Sequence, residues 1–115
     1  MLLMITSEGK TLGSKPCLQF GRSPFFIRYD VSTESWQALG NEALSQTHGA
    51  GVAASQSLIN QGVSIAISGK FGPNAFQALS TAGIEMVTID PSFQTVQDVI
   101  EAYKNNKLTK VSSEK

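Results

Sequence analysis

Past Gly40 the apolar residues of this chain leave strand spacing and begin to alternate between helical stripes and short strands. Residues Gly51 to Gln61 read as a helix with Val52, Ala54, Leu58 and Ile59 on its apolar side, and Gly62 stands where a glycine would end it. Val63 to Ile67 reads as a strand. Pro73 suits the first position of a second helix, lined by Ala75, Phe76, Leu79 and Ala82 and closed by Gly83. Glu85 to Ile89 is another strand. Thr95 to Asp98 resembles a capping box, and Val96, Val99, Ile100 and Tyr103 form the stripe of a last helix.

Before Gly40 lie three strand-like segments, Leu2 to Ile5, Phe25 to Val31 and Trp36 to Leu39, the last two joined by a polar turn that suggests an antiparallel hairpin. Between the first and second, residues 8 to 24 contain Gly9, Gly13, Pro16, Gly21 and Pro24 with little periodicity, a long loop of the kind usually tied to function. Thr109 to Lys115 reads as a loose tail, which leaves one domain over residues 1–108.

The order βββαβαβα predicts an α/β fold with a five-stranded mixed sheet. Right-handed crossovers make strands one, four and five parallel. Strands one, three, four and five then end at one edge of the sheet, where strand two begins. Loops 8–24, 41–49, 68–74 and 90–94 converge there, and open α/β sheets bind ligands outside the carboxyl ends of their strands.

Two glycine-rich junctions fall at that edge: Thr47-His48-Gly49-Ala50-Gly51 and Gly69-Lys70-Phe71-Gly72-Pro73-Asn74. Each leads into a helix whose first turn has unpaired N–H donors, and glycine lets backbone approach a ligand closely. Together they predict a cradle for an anion. Arg22, whose planar fork suits anions, and Lys70 are its candidate cations. His48, the only histidine, is a candidate ligand or hydrogen bonder, kept neutral by a helix N-terminus. Cys17, the only cysteine, is a candidate soft metal ligand, or else a small buried hydrophobe. One Cys and one His fall short of a closed zinc or iron–sulfur site, so a metal would arrive as a preformed, self-ligated species.

Composition removes other classes. Nine basic residues balance nine acidic ones, and only two arginines occur, which leaves no electrostatic footprint for nucleic acid or an anionic membrane. No apolar run is long enough to cross a bilayer, and Met1 to Ile5 reads as a strand rather than a signal peptide. A single cysteine excludes an intrachain disulfide, consistent with a cytoplasmic location. Enzymatic motifs fail as well. The lysine of Gly69-Lys70-Phe71 lacks the following Ser/Thr of a P-loop, and no G-x-S-x-G elbow accompanies His48-Gly49. The strand ends lack the clustered carboxylates of a two-metal nuclease.

Four segments follow in an order seen in one family: Phe20-Gly21-Arg22-Ser23-Pro24-Phe25-Phe26, His48-Gly49-Ala50-Gly51, Gly72-Pro73-Asn74-Ala75-Phe76-Gln77-Ala78-Leu79 and Ala82-Gly83-Ile84-Glu85. Through them the chain resembles the dinitrogenase iron–molybdenum cofactor biosynthesis family, with its NifX-like and NifY-like carriers, its NifB-like C-terminal domains and small members akin to an orange protein of anaerobes. The resemblance implies a ribonuclease H-like three-layer fold with helices on both faces. It also implies a non-enzymatic carrier of an anionic metal–sulfur cluster, either the iron–molybdenum cofactor or a precursor, or a molybdenum–copper sulfide cluster. A protein that donates or accepts the cluster would be its partner. Matched by position, Phe20, Gly21, Arg22, His48, Gly49, Gly51, Gly72, Pro73 and Asn74 would surround the site. Gln19 stands where some members have histidine, and Cys17 is not a motif position, which favours non-covalent holding. The alternative is a cofactor-free interaction domain in which exposed aromatics near the edge, Phe71 or Phe93, contact other proteins.

Overall fold

A computed structural model describes residues 1–41 and 50–110. Among the described residues there are six strands, β1 (Leu2–Ser7), β2 (Phe25–Asp30), β3 (Trp36–Gly40), β4 (Ile65–Ser68), β5 (Glu85–Thr88) and β6 (Thr109–Lys110). The same residues form three α-helices, α1 (Ala50–Asn60), α2 (Pro73–Thr81) and α3 (Val96–Lys104). The strands form one mixed sheet in the order β3-β2-β1-β4-β5-β6. β1, β4 and β5 are mutually parallel, whereas β2, β3 and β6 each pair antiparallel with their neighbour.

The five-stranded expectation is therefore corrected to six. The chain does not loosen at Thr109: Thr109 and Lys110 pair with Thr88 and Val87. This two-residue strand is exposed and carries no apolar pattern, so nothing in its composition distinguishes it from a tail. Backbone pairing alone places it at the sheet edge.

The alternation of strand side chains splits the core in two. Met4, Phe26, Ala66 and Met86 face α1 and α2, where they pack with Ala54, Leu58, Ala75 and Leu79. Leu3, Ile5, Ile27, Ile65, Ile67 and Val87 face the opposite way, onto Val96, Val99 and Ile100 of α3. Helices thus cover both faces. Gly62 (φ 71°) and Gly83 (φ 78°) terminate α1 and α2 in the left-handed region, where L side chains are strained. The Thr95 side chain caps α3 by accepting the Asp98 N–H at 3.0 Å.

The long connection between β1 and β2 is folded against the carboxyl edge of the sheet. Cys17 N–H donates to Thr6 O at 3.0 Å, Glu8 N–H donates to Lys15 O at 2.8 Å, and Gln19 bridges Lys70 in parallel register. Its first half lies on the α3 face, where Ser14 O and Leu12 O accept the N–H groups of Val96 and Gln97, both at 2.9 Å. Leu12 and Leu18 pack against the α3-side core, but Phe20 belongs to the other one. The chain therefore changes face between residues 18 and 20. It does so over Gly69, where a Cβ would lie 2.8 Å from Leu18 O and 2.9 Å from Leu18 Cα.

Candidate functional site

Two consequences follow from that crossing. A single 3-10 turn, Phe20–Arg22, is delivered to the α1/α2 side, and the segment from Gly69 into α2 runs beside it. Phe20 anchors the turn. It is 2% exposed, with its ring centroid 5.1 Å from Phe71 and 5.8 Å from Phe26. Phe20 N–H donates to Lys70 O at 3.1 Å and fixes the two segments together.

Between this turn and the starts of α1 and α2 lies a cavity of about 440 Å³. Phe20, Gly21, Arg22 and Lys70 line one side, and Gly51, Gly72, Pro73 and Asn74 line the other, with Gln19, Val52 and Ala75 completing the wall. The starts of α1 and α2 are neighbours: a Cβ on Gly51 would make van der Waals contact with Ala75 Cβ at 3.4 Å. Val52, expected on the apolar side of α1, is instead exposed and lines the cavity. Two residues before Ala54, it falls on the side of the helix away from the buried Ala54 and Leu58.

Among the described residues, the wall contains Arg22 and Lys70 and no carboxylate. Its backbone donors can be counted. In the 3-10 turn, Arg22 N–H is taken by Gln19 O and Ser23 N–H by Phe20 O, while Gly21 N–H has no acceptor among the described residues. In the first turn of α2, Pro73 has no N–H, Phe76 N–H bonds Gly72 O, and no side chain caps the helix. The Asn74 and Ala75 N–H groups are thus left as the open donors of a helix start. Gly72, the N-cap, has φ −72°, which any residue adopts, and a Cβ there would meet nothing within 4 Å. Neither conformation nor packing demands glycine at 72; its missing side chain leaves open space at the mouth of the cradle. Cations, oriented N–H dipoles and a helix N-terminus all favour a negatively charged occupant.

His48 and Gly49 lie outside the described residues. Cys17 is buried away from the cavity wall, its thiol directed at Gln19 O at 3.5 Å. Burial is the main cause that pushes this thiol above its ordinary pKa, with the nearby Glu8 charge adding to it. Alkylation of Cys17 by iodoacetamide at pH 8 is accordingly expected to be slower in the native protein than in denaturant by on the order of tenfold or more; equal rates would show an accessible thiol. Among the described residues no three His, Cys, Asp or Glu side chains cluster to hold a metal ion. Loop 90–94, expected at the same edge, contributes nothing to the cavity wall. Ser92 N–H instead bonds the Asp90 side chain in a local turn. Phe71 is not an exposed contact residue but is buried against Phe20 at 6% exposure. Phe93 is partly buried beside the α3 core.

Three residues shape the site in ways that no motif assigns, although Gly69 and Ser23 lie within quoted segments. Gly69 permits the face change described above. Ser23, fully buried, accepts Ser7 N–H at 3.0 Å on its hydroxyl and donates to Phe25 O at 2.7 Å. Asn41, at the end of β3, donates from Nδ2 to Ser23 O at 2.8 Å. Each is small or polar, a type common in loops, and its partner is distant in sequence. Only the long-range pairing of the loop reveals them.

A mixed sheet with helices on both faces and a cavity at its carboxyl edge defines an α/β domain. The sequence profile of the dinitrogenase iron–molybdenum cofactor family matches residues 1–106, and the chain belongs to that family. Its fold is similar to the apo form of the orange protein from Desulfovibrio gigas, with 28% identity over 99% of this chain and 95% of that one and a TM-score of 0.94. It is also similar to a NifB-like protein from Thermotoga, with 31% identity over 99% of this chain and 96% of that one and a TM-score of 0.86. No protein of curated function matches the chain significantly. No described helix is long and apolar enough to cross a membrane.

Proposed function

We propose that this protein is a non-enzymatic carrier of an anionic metal–sulfur cluster, which it holds by hydrogen bonds and charge and exchanges with a partner protein in the cytoplasm. The cargo is the iron–molybdenum cofactor, a precursor of it, or a molybdenum–copper sulfide cluster. One observation carries this reading: a cavity of about 440 Å³ between two helix starts, with two cations, open amides and, among the described residues, no carboxylate on its wall. The donor set suits a cluster that brings its own sulfide ligands, since hydrogen-bond donors replace protein thiolates. Val52, Pro73 and Ala75 add apolar surface, which favours a soft, weakly hydrated sulfide anion over a strongly hydrated oxyanion. Membership of the family and the likeness to the orange protein and the NifB-like protein point to the same cargo.

Anaerobic titration of apo protein with tetrathiomolybdate, with and without copper(I), tests the proposal. A charge-transfer band and stoichiometric molybdenum retained through gel filtration are expected, whereas molybdate is not retained. Arg22→Ala should raise Kd roughly tenfold, the scale of one charged hydrogen bond. His48→Ala should also weaken binding. Absence of retained metal in the native protein would sink the cluster reading, and indifference to both substitutions would move the site elsewhere.

A further inference from the structure

We infer that Asn41 is a positioning residue that sets the direction in which Arg22 enters the cavity. The inference rests on the cluster-carrier reading of that cavity. Asn41 is 8% exposed and absent from the cavity wall, so it acts through other groups. Its backbone N–H donates to Pro24 O at 3.1 Å, which ties it to the start of β2. From this anchor its Nδ2 donates to Ser23 O at 2.8 Å and approaches Gly21 O at 3.4 Å. One carboxamide therefore spans the carbonyls on either side of Arg22.

Peptide planarity lets the bond to Gly21 O act on the plane that precedes Arg22, while the bond to Ser23 O anchors the carboxamide on the peptide between Ser23 and Pro24. The peptide joining residues 21 and 22 is held by Asn41 at its carbonyl and by Gln19 O at its N–H. The peptide joining residues 22 and 23 is held through Ser23 N–H, which donates to Phe20 O at 3.4 Å. With both flanking planes fixed, the Cα–Cβ bond of Arg22 has one direction. Pre-orientation reduces the ordering cost of a long, rotamer-rich cation when it meets an anion. Asparagine suits the task because its amide donates two hydrogens, whereas an aspartate would set carboxylate oxygens against two carbonyl oxygens.

A double-mutant cycle separates this role from plain structural support. Asn41→Asp and Asn41→Ser are each combined with Arg22→Ala, and Kd for tetrathiomolybdate is measured after thermal unfolding has confirmed a folded protein. Either Asn41 substitution should raise Kd about tenfold in the native background and less than about twofold in the Arg22→Ala background. An equal cost in both backgrounds, or no cost in the native one, would overturn the inference. If the native protein binds no tetrathiomolybdate, the carrier reading fails. The brace is then read in the ligand-free protein, from the Arg22 side-chain Nε–H resonance. A shift or loss of order in N41D or N41S upholds Asn41 as the positioning residue, and an unchanged resonance overturns it.

Discussion

Replacing Phe20 with alanine is expected to cost about 3–5 kcal/mol of folding stability. The ring is 2% exposed and packs on Phe26 and Phe71, so truncation removes buried apolar surface and leaves a void between two aromatic neighbours. Because Phe20 is the only side chain of the 3-10 turn that is buried, no other apolar anchor holds the turn down. The loss of cluster affinity should therefore exceed that from removing one cation. Urea denaturation of F20A would check the stability, and a midpoint within experimental error of the native protein would show that the turn is held by hydrogen bonds alone. Phe20→Leu, which keeps most of the volume, should recover much of the stability but only part of the affinity.

The second large effect is expected at Gly69. A Cβ at this position would lie 2.8–2.9 Å from the backbone of Leu18, and backbone cannot swing aside as a flexible side chain would. Gly69→Ala should cost about 1–3 kcal/mol through overpacking. It also acts directly on the site. Separating Gly69 from Leu18 strains the neighbouring bond from Phe20 N–H to Lys70 O at 3.1 Å, which joins the two walls of the cavity. Amide hydrogen exchange offers a local readout: Phe20 N–H should lose protection in G69A by more than the global loss of stability accounts for. Equal losses throughout the sheet would instead place the effect in general folding. Gly72→Ala is the internal contrast. Its Cβ would meet open space, so stability should barely change while cluster binding falls.

The contrast between these two glycines indicates what a linear reading can reach. Both lie in one six-residue junction, and Gly72 is the candidate because it precedes Pro73 at a helix start and falls in a family motif. Gly69 carries the tighter constraint, imposed by Leu18, a residue far away in the chain. Asn41 and Ser23 are alike in this respect, because their partners lie 18 and 16 residues away. Phe71 illustrates the opposite error. An aromatic beside Lys70 in a loop resembles an exposed contact, yet Phe20, arriving over the sheet edge, buries it. The helix ends at Gly62 and Gly83 and the cap at Thr95 were readable because each depends on residues within a few positions, and the parallel strands because crossovers through helices have a fixed hand.

Local chemistry in the sequence was enough to determine the order of the helices and of the first five strands, while the crossover rule gave the edge and the family resemblance implied helices on both faces. Turn residues, caps and hydrophobic period act over a few residues, so they can be read along the chain. Tertiary structure alone decided how the residue 8–24 loop divides between the two faces. It also decided that Cys17 turns from the cavity into a buried bond with Gln19 O, and that β6 adds a sixth strand. These outcomes depend on steric clearance and backbone pairing between segments brought together only by folding, and neither leaves a periodic trace in composition.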